Sequence, residues 1–475
     1  MASNNESVFS GLPYSYSVNA HAAEIKQAYA DYEGKQVSVA GRITGMRKSG
    51  KLIFIDVLDA TGKIQAYFDF AQLGERFEAV KKFNSGDIIG AKGKVFKTKP
   101  GEISINVEEY SLLAKAMRML PDKWHGLQDV ELRYRKRYLD LIMNPAVSEI
   151  FIKRSKIVSL IRKFLDSKGF MEFETPVIQP LYGGADADPF KVFVNTLGEE
   201  DYLRISNELY LKRLIIGGLE KVYEIYKAFR NEDIDVTHSP EFTMIEWYQA
   251  YADYEEMMKL SESLLEYIAK NLYGSTEITY QGKKIDFRAP FARVKYVDSI
   301  NERAGNGIDV LELGDEELFK LAESKGIKFE KGKRTRSHAY EKLFEALVQP
   351  TLVQPAFAID FPKETSTLTR SKRGDPRLVE RFELYIAGME LANAYSELND
   401  PVVQRQNFES QIAAANAAGG TAEPLDMDFV EAMEYGMPPT GGLGLGIDRL
   451  VMLLTDKPSI KEVILFPMEK RSGQK

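Results

Sequence analysis

The segment from Phe229 to Thr243 combines residue types that bind nucleotides. It contains Arg230, Glu232, His238 and Phe242, which we expect on two antiparallel strands joined by a loop. A nucleotide needs cations for its phosphates, a hydrogen-bond acceptor for the adenine amino group and a flat apolar face for the base. Taken singly, each residue is typical of a surface ion pair or a core position. Together they predict a nucleotide site.

Two acids farther along the chain, Glu383 and Glu390, are seven residues apart. On one helix they would lie two turns apart on the same face. Because the apolar residues Phe382, Leu384 and Ile386 alternate with other residues, the pattern favours two strands joined by a turn, across which the acids could face each other directly. Two converging carboxylates could hold magnesium bridging ATP phosphates. On spacing alone, a pair of exposed acids is an equally common alternative.

Composition limits the possible chemistry. The chain has 475 residues, a formal net charge of −7, 44% hydrophobic and 28% charged residues, no cysteine and four histidines. The absence of cysteine excludes disulfides, cysteine nucleophiles and zinc–thiolate sites. Four histidines argue against a histidine-rich metal site, so we expect hard oxygen ligands and hence magnesium. There is no apolar run of the roughly 20 residues that span a bilayer, and no basic-then-apolar leader. We therefore expect a cytoplasmic protein without a membrane segment.

The first part of the chain has an all-β pattern. Strand-like stretches occur at 37–41, 52–58, 63–68, 87–95 and 103–107, with a helical interruption at 71–83. Five short strands with one helix predict a small oligonucleotide-binding barrel. We expect this domain at 20–115, after a tail at 1–19 and before a linker at 116–135. The acidic net charge argues mildly against nucleic-acid binding, although basic clusters occur within the barrel.

The remainder, 136–472, mixes helices and strands and predicts an α+β domain. Apolar residues from Ile150 to Leu165 lie on one helical face, and Gly169 predicts the end of that helix. Near the C-terminus, the segment from Gly441 to Arg449 predicts a glycine-rich turn that enters a helix; most of its glycines are expected to permit tight packing. A charged, weakly periodic stretch at about 286–337 predicts an insertion.

These segments resemble the three motifs of class II aminoacyl-tRNA synthetases. The helix ending at Gly169 is similar to motif 1, Arg230 to Phe242 to motif 2, and Gly444 to Arg449 to motif 3. Within the class, the resemblance is to lysyl-tRNA synthetases and extends from about Gln36 to Pro467. The strings that carry it are Gly183–Ala185, Tyr202–Lys212, Glu246–Tyr248 and Asn393–Asp400.

The resemblance implies an antiparallel catalytic sheet flanked by helices, a homodimer, and the substrates ATP, L-lysine and tRNA(Lys). It implies that Arg230 holds the α-phosphate and the substrate carboxylate, while Arg449 binds near the γ-phosphate. The remaining implied nucleotide and metal contacts are Glu232 with adenine, His238 with the distal phosphates, Phe242 stacked on the base, and Glu383 with Glu390 on Mg²⁺.

The resemblance also implies a pocket for the amino acid, and the negative charge of this pocket suits the ammonium groups of lysine. The residues concerned are Gly184, Glu208, Glu246, Tyr248, Asn393, Tyr395 and Glu397. Burying an ammonium group requires opposite charge and hydrogen-bond acceptors, which glutamates and a tyrosine provide. By the resemblance, Glu208 and the Gly184 carbonyl take the α-amino group. Glu397 and Tyr248 take the ε-ammonium, supported by Glu246.

In the barrel, four residues match positions that in this family read the central uridine of a lysine anticodon. They are Arg42, Phe54, Gln65 and Glu102. An aromatic ring such as that of Phe54 stacks on any base, whereas the amide of Gln65 can discriminate a base edge.

Some positions depart from the family pattern, and some alternatives stay open. Asp186, Asp188, Thr367 and Thr369 stand where the family has other residues, in or near a loop expected to cover the amino acid. The alternatives are a relative specific for aspartate or asparagine, an enzyme that transfers lysine to a protein, and an RNA-binding module with an inactive synthetase domain. The glutamates disfavour the relative specific for aspartate or asparagine. The barrel disfavours the enzyme that transfers lysine to a protein, and the presence of Arg230 with Arg449 disfavours the inactive module.

Overall fold

The computed structural model describes residues 11–121, 127, 129–185, 187–305, 307–329, 334–417 and 425–469. The chain divides between Gln128 and Asp129 into two compact units. Asp186, and parts of the predicted tail (1–10), linker (122–126 and 128), insertion (306 and 330–333) and C-terminus (470–472), lie outside the described residues. In the described part of the chain, no helix is long and apolar enough to cross a membrane.

Five strands form a closed barrel in the first unit. They are β1 Gln36–Ser49, β2 Leu52–Leu58, β3 Lys63–Asp69, β4 Ile88–Lys97 and β5 Ile103–Ala114, in the order β1-β2-β3-β5-β4. Successive side chains of a strand point to opposite faces, so Ile53, Ile55 and Val57 fill the barrel whereas Phe54 is directed outward. The predicted oligonucleotide-binding barrel is confirmed.

Short helices surround the barrel strands. α1 Ala22–Gln27 and α2 Tyr29–Tyr32 precede β1, while α3 Phe70–Leu73, a 3-10 turn at Gly74–Arg76 and α4 Phe77–Val80 lie between β3 and β4. The predicted helical interruption is therefore present but broken into three short turns. Gly74, with φ +57°, ends the first of them in a conformation that side-chain-bearing residues rarely adopt.

The second unit is larger. Its helices are α5 Val130–Arg135, α6 Arg137–Met143, α7 Pro145–Ser167, α8 Glu208–Ile216, α9 Tyr254–Tyr273, α10 Tyr296–Ala304, α11 Asp315–Ser324, α12 Arg336–Leu347, α13 Pro401–Ala417, α14 Met427–Glu434, α15 Ile447–Thr455 and α16 Ile460–Val463. Its strands are β6 Met171–Glu172, β7 Ile178–Gln179, β8 Phe190–Val194, β9 Glu199–Leu203, β10 Lys221–Phe229, β11 Glu241–Ala250, β12 Glu277–Tyr280, β13 Lys283–Asp286, β14 Ala292–Lys295, β15 Ala356–Pro362, β16 Ser371–Lys372, β17 Asp375–Ile386, β18 Met389–Ser396 and β19 Thr440–Gly446.

A large sheet organises this unit. Its strand order is β14-β15-β17-β18-β19-β11-β10-β6, with β16 on β17, and only its two outermost pairs are parallel. Helices α7, α9 and α15 cover one face, where Ile157, Leu264 and Leu450 share a core with Trp247 of β11. The predicted α+β domain, with an antiparallel sheet flanked by helices, is confirmed.

Two local predictions need correction. The glycine-rich segment that was predicted to be a turn is mostly strand β19, and α15 follows it directly. Glu383 and Glu390 do lie on adjacent strands, but they are not directly opposite. A bulge after Leu384 pairs Glu390 with Tyr385, while Glu383 pairs with Asn393.

The segment at 286–337 contains α10 and α11, which share a core with α12 and β15.

Candidate active site

The floor of the candidate site is the face of the sheet opposite the helix-covered core. On β11, Phe242, Glu246 and Tyr248 share this face, since alternate residues of a strand point the same way. In β19, Gly444 is paired with Glu246 on one side and Asn393 on the other, and Gly442 is paired with Tyr248 and Tyr395. The glycines therefore leave a strip without side chains between two functional strands.

Gly442 has no room for a side chain. A Cβ atom built there would lie 2.2 Å from Glu397 Oε1 and 2.4 Å from the Tyr248 ring. The prediction that glycines of this segment permit tight packing describes this position, and the packed groups are two of the predicted lysine-binding residues.

Glu208, Glu246, Tyr248 and Glu397, which we call the acidic pocket, are all buried. Glu246 accepts hydrogen bonds from Tyr248 at 2.9 Å, Ser206 at 3.1 Å and Tyr226 at 2.5 Å. Burial, together with the Glu208 carboxylate, raises the pKa of Glu246 to about 7. The hydrogen bonds from Ser206 and Tyr226 hold Glu246 in place, and Glu246 in turn orients the Tyr248 phenol.

Glu397 directly follows β18 and is completely buried. Burial raises the pKa of this carboxyl to about 8, while the Lys212 ammonium opposes the shift. Lys212 Nζ contacts Glu397 Oε2 and donates to Glu208 Oε1 at 2.5 Å. Glu397 Oε1 has no hydrogen-bond partner among the described residues. This oxygen can therefore accept a hydrogen bond from a ligand.

Gly184 lies beside the same pocket. Its φ of +84° favours glycine, and a Cβ atom would lie 3.0 Å from Ser206 Oγ and 3.1 Å from Glu208 Cβ. The backbone thus approaches Glu208 closely, as expected if the Gly184 carbonyl and Glu208 hold one amino group together.

The departures from the family pattern flank the site. Thr369 is buried and forms an isolated bridge with Glu397, and the Thr367 carbonyl accepts from Gln404 at 3.1 Å. Asp188 is exposed, and its carbonyl accepts from the backbone N–H of Asn231 at 2.7 Å. The Thr367–Thr369 segment therefore supports the strand end that carries Glu397.

At the other end of the site, cations and an aromatic ring come together. The Arg230 guanidinium lies 5.3 Å from the centre of the Phe242 ring, and its buried Nε has no hydrogen-bond partner among the described residues. Arg449 Nη2 lies 3.2 Å from His238 Nε2, and Nη1 donates to the Glu390 carbonyl at 2.8 Å. The exposed Glu232 lies in the loop that joins β10 and β11. This arrangement suits a nucleotide and its phosphates.

Motif 3 is held to the sheet by an acid that the sequence reasoning did not single out. Asp448 is buried, pairs with Arg154 of α7 at 2.5 Å and accepts from the Thr243 N–H at 2.6 Å. It therefore ties the start of α15, and with it Arg449, to α7 and β11.

Glu383 is the buried member of the predicted magnesium pair. Burial raises its pKa to about 7; the Arg381 guanidinium opposes the shift and Glu390 adds to it. Arg381 Nη2 donates to Glu383 Oε1 at 2.5 Å, and Tyr385 donates to Oε2 at 2.5 Å. A divalent cation would offset the negative charge that Glu390 places near Glu383, so the donor set fits magnesium.

Asn393 and Tyr395 of β18 lie across β19 from Glu246 and Tyr248, respectively. Arg381 Nε donates to Asn393 Oδ1 at 3.3 Å, and Asn393 Nδ2 donates to Glu383 Oε1 at 3.5 Å. Burial raises the pKa of the Tyr395 hydroxyl, and Glu208 and Glu397 contribute to the shift. Tyr395 thus faces the acidic pocket, whereas Asn393 lies beside Glu383.

Sequence reasoning missed two cations in the site, Lys212 and Arg381. Lys212 follows Glu208 by four residues on α8, and helical spacing could have placed them on one face. Arg381 precedes Glu383 by two residues on β17, and strand alternation could have done the same. Both spacings are more often those of surface ion pairs, so the signal is weak without the fold.

The barrel presents an aromatic row on its outer face. The Phe54 and Tyr67 rings are 5.3 Å apart, and Tyr67 and Phe96 are 5.4 Å apart. Gln65, on the same face of β3 as Tyr67, accepts from Ser104 Oγ at 2.9 Å. The structure therefore adds two rings to the predicted stacking residue Phe54.

The other two predicted barrel residues have partners of their own. Arg42 Nη1 donates to the Gly86 carbonyl at 2.8 Å. Glu102 is half-exposed and pairs with Lys26 at 3.1 Å, while its carbonyl lies 3.3 Å from Ser104 Oγ. Glu102 is thus near Gln65, which contacts the same serine.

Comparisons with known proteins match each part of the chain to a family. Residues 129–470 match the model of class II tRNA synthetases (D, K and N), and residues 37–113 match the OB-fold nucleic acid binding domain. The chain thus combines a class II synthetase domain with an OB-fold domain.

Relatives narrow the class further. A lysine–tRNA ligase of Clostridium perfringens is 49% identical over 455 residues, covering 94% of this chain and 90% of that protein. Those of Moorella thermoacetica and Thermoanaerobacter pseudethanolicus are each 48% identical, over 95% and 94% of this chain and 92% and 90% of theirs. The chain belongs to the lysine–tRNA ligase family, whose members are ligases that form aminoacyl-tRNA, and the family predicted from the sequence is confirmed.

Proposed function

We propose that this chain activates L-lysine with ATP and transfers the lysyl group to the 3′ end of tRNA(Lys). The observation that carries the proposal is the acidic pocket, where, among the described residues, three buried carboxylates, Glu208, Glu246 and Glu397, lie around a single buried cation, Lys212. A buried carboxylate is costly unless it is paired, and an ammonium side chain supplies both the charge and the donors.

The charge of the pocket selects against an acidic substrate. Lys212 is a cation, as an aspartate site would require, but its ammonium contacts Glu208 and Glu397. With Glu246, the pocket keeps an excess of carboxylates. An aspartate side chain would bring one more negative charge into a buried acidic site, whereas the lysine ε-ammonium offsets the charge already there.

The two substrates fit along one strand. Phe242 and Glu246 lie on the same face of β11, four residues and hence roughly 13 Å apart. We infer that ATP lies at the Phe242 end, with its base stacked there and in contact with Glu232. Lysine lies at the Glu246 end, with its carboxylate directed toward Arg230.

Catalysis then rests on positioning and charge. The lysine carboxylate attacks the α-phosphorus of ATP, the bond to the bridging oxygen of pyrophosphate breaks, and lysyl-adenylate forms. Arg230 holds the lysine carboxylate and the α-phosphate, while His238 and Arg449 bind the distal phosphates and accommodate the charge on the leaving group. Glu383 and Glu390 would hold Mg²⁺, which supplies positive charge to phosphate oxygens.

In the second step, a ribose hydroxyl at the 3′ end of tRNA attacks the lysyl carbonyl and AMP leaves. We infer that the barrel binds the anticodon through Arg42, Phe54, Gln65 and Glu102. We also propose that the barrel domain spans 20–115, that 116–135 is a linker before the catalytic domain at 136–472, and that the enzyme is a cytoplasmic homodimer.

Pyrophosphate exchange measured with each of the twenty amino acids tests the proposal. Lysine should support exchange far better than aspartate, asparagine or arginine, because it alone matches the charge and length of the pocket. The purified chain should also charge tRNA(Lys) with lysine. Aspartate-dependent exchange of comparable size would refute the assignment.

A further inference from the structure

Lys212 has no assigned task in the proposed reaction, yet its charge is at the centre of the acidic pocket. Its side chain is completely buried, and its ammonium lies between the carboxylates of Glu208 and Glu397. Glu208 precedes it by one helical turn on α8, whereas Glu397 comes from the end of β18. Lys212 therefore joins the two carboxylates that are proposed to hold opposite ends of the lysine substrate.

Stability alone does not explain a charge at this position. Replacing a buried ion pair with apolar residues is often neutral or stabilising, because removing charges from water is expensive. Phe429 of α14 lies beside Lys212, 6.0 Å from its Nζ to the ring centre, in an apolar cluster with Leu209 and Met433. The surroundings of the Lys212 stem would accept an apolar side chain.

The ammonium also leaves Glu397 able to bind a ligand. Lys212 Nζ is in contact with Glu397 Oε2, whereas Oε1 has no hydrogen-bond partner in the described part of the chain. Glu208 does receive one from Lys212. Lys212 thus fixes where the two carboxylates lie without saturating Glu397.

The charges match those of the substrate. The three glutamates of the pocket and Lys212 together leave two negative charges when all are ionised. Free lysine brings two ammonium groups, while its carboxylate is directed toward Arg230. Without Lys212, the pocket would hold one negative charge more than the substrate can offset, and a buried carboxylate with excess negative charge around it binds a proton instead.

We propose that Lys212 is a positioning residue for the lysine substrate: its buried ammonium holds Glu208 and Glu397 in place and balances the acidic pocket so that Glu397 meets the substrate as a carboxylate. This inference rests on the proposed function.

The consequence for pH follows from the groups that face Glu397. They are Lys212 and Glu208 of α8, Glu246 and Tyr248 of β11, and Tyr395 of β18. Of these, Lys212 is the one that favours the charged form of Glu397, whereas Glu208 and Glu246 disfavour it. Loss of the Lys212 charge should therefore raise the pKa of Glu397 further.

The test compares Lys212→Met with Lys212→Arg in lysine-dependent pyrophosphate exchange from pH 6 to 9.5. The methionine variant should raise the KM for lysine at pH 7 by about tenfold or more, since each unit of pKa corresponds to tenfold in the ionised fraction. Its acid limb of kcat/KM for lysine should move to higher pH by at least about one unit. The KM for ATP should change less than about threefold. Lys212→Arg should retain the acid limb of kcat/KM for lysine at the pH where wild type has it.

Folding is separated from positioning by two further variants. Lys212→Gln also lacks the charge but keeps a hydrogen-bond donor, so it should show the same pH shift and replaces the methionine variant if that protein does not fold. Arg137→Met removes another buried cation, which donates to Asp140 at 2.8 Å in the same unit. It should lower the melting temperature without a lysine-specific rise in KM.

The inference is overturned if the neutral variants at Lys212 keep the wild-type KM for lysine and the wild-type pH limb. A lower KM for lysine would overturn it too, because Lys212 would then be competing with the substrate. Absence of lysine-dependent exchange in the wild-type protein would instead refute the proposed function.

Discussion

Replacing Glu397 with glutamine is the most direct way to probe the lysine end of the site. The substitution keeps the size of the side chain and a carbonyl acceptor but removes the charge. Glu397 is completely buried, with Oε2 in contact with the Lys212 ammonium and Oε1 without a hydrogen-bond partner among the residues that the structure describes. Truncating one member of a buried, hydrogen-bonded charge pair costs on the order of 2–5 kcal/mol. Lysine affinity should therefore fall by tens to thousands of fold.

The loss should depend on pH. The pKa of Glu397 is raised from its usual 4.5 to about 8, so the wild-type carboxyl must release its proton before it can bind an ammonium group at pH 7. Its contribution to affinity is present above pH 8 and is lost as pH falls through that value. In wild type, kcat/KM for lysine should rise about fivefold from pH 7 to pH 8 and level above about pH 9, as the carboxyl becomes fully ionised while the ε-ammonium stays charged to about pH 10. Glu397→Gln should lack this rise.

Pyrophosphate exchange with varied lysine, ATP and magnesium gives the readout. In Glu397→Gln the KM for lysine should rise while the KM for ATP changes little, because the proposed nucleotide site is at the other end of β11. Glu383→Gln is the matched control: it neutralises a second buried carboxyl with a raised pKa and should depress the rate and alter the magnesium requirement. If Glu397→Gln leaves lysine affinity intact but raises the magnesium requirement, Glu397 belongs to the metal site and the pocket is assigned wrongly.

Three further outcomes are expected. Phe54→Ala should weaken tRNA charging by about 1–3 kcal/mol, the value of one stacked base, and leave lysine-dependent exchange unchanged; equal loss in both assays would make Phe54 a structural residue. Gly442→Ala should abolish lysine-dependent exchange in a folded protein, because its Cβ would lie 2.2 Å from the Glu397 carboxylate; wild-type exchange would refute this. The melting temperature should fall from pH 5 to pH 8, because the raised pKa values of Glu246, Glu383 and Glu397 leave the folded state with more bound protons than the unfolded one; a melting temperature that rises over this range would contradict it.

The elements that carry the site were largely predictable because their signals are local. The alternation of apolar residues around Glu383 predicted β17 and a second strand beyond it, and the Ile150–Leu165 pattern predicted α7. β19 was mistaken for a turn because glycine is a poor strand former. Its strand geometry comes from the flanking β11 and β18, which supply hydrogen bonds on both sides. That information is not local to the segment.

The bulge after Leu384 was equally invisible in the sequence. It shifts the register by one residue, so Glu390 pairs with Tyr385 and Glu383 with Asn393. A period-2 pattern predicts which face a side chain lies on but not which residue it opposes, because register depends on both strands and on the turn. The relative position of the two carboxylates therefore follows from the three-dimensional structure, although the two residues themselves were predicted from the sequence.

Lys212 shows why the charge of a pocket cannot be read from its acids alone. Summing Glu208, Glu246 and Glu397 suggests a strongly negative site, and the spacing of four residues between Glu208 and Lys212 is only a weak signal that a lysine lies among them. The fold does so because α8 turns Lys212 to the same side as Glu208, and β18 ends with Glu397 against its ammonium. A site for a cationic substrate then contains a cation of its own, and the number of uncompensated carboxylates equals the number of ammonium groups to be bound. On this reasoning, an enzyme of this architecture could alter its preference for substrate charge by changing the residue at Lys212 while keeping every glutamate.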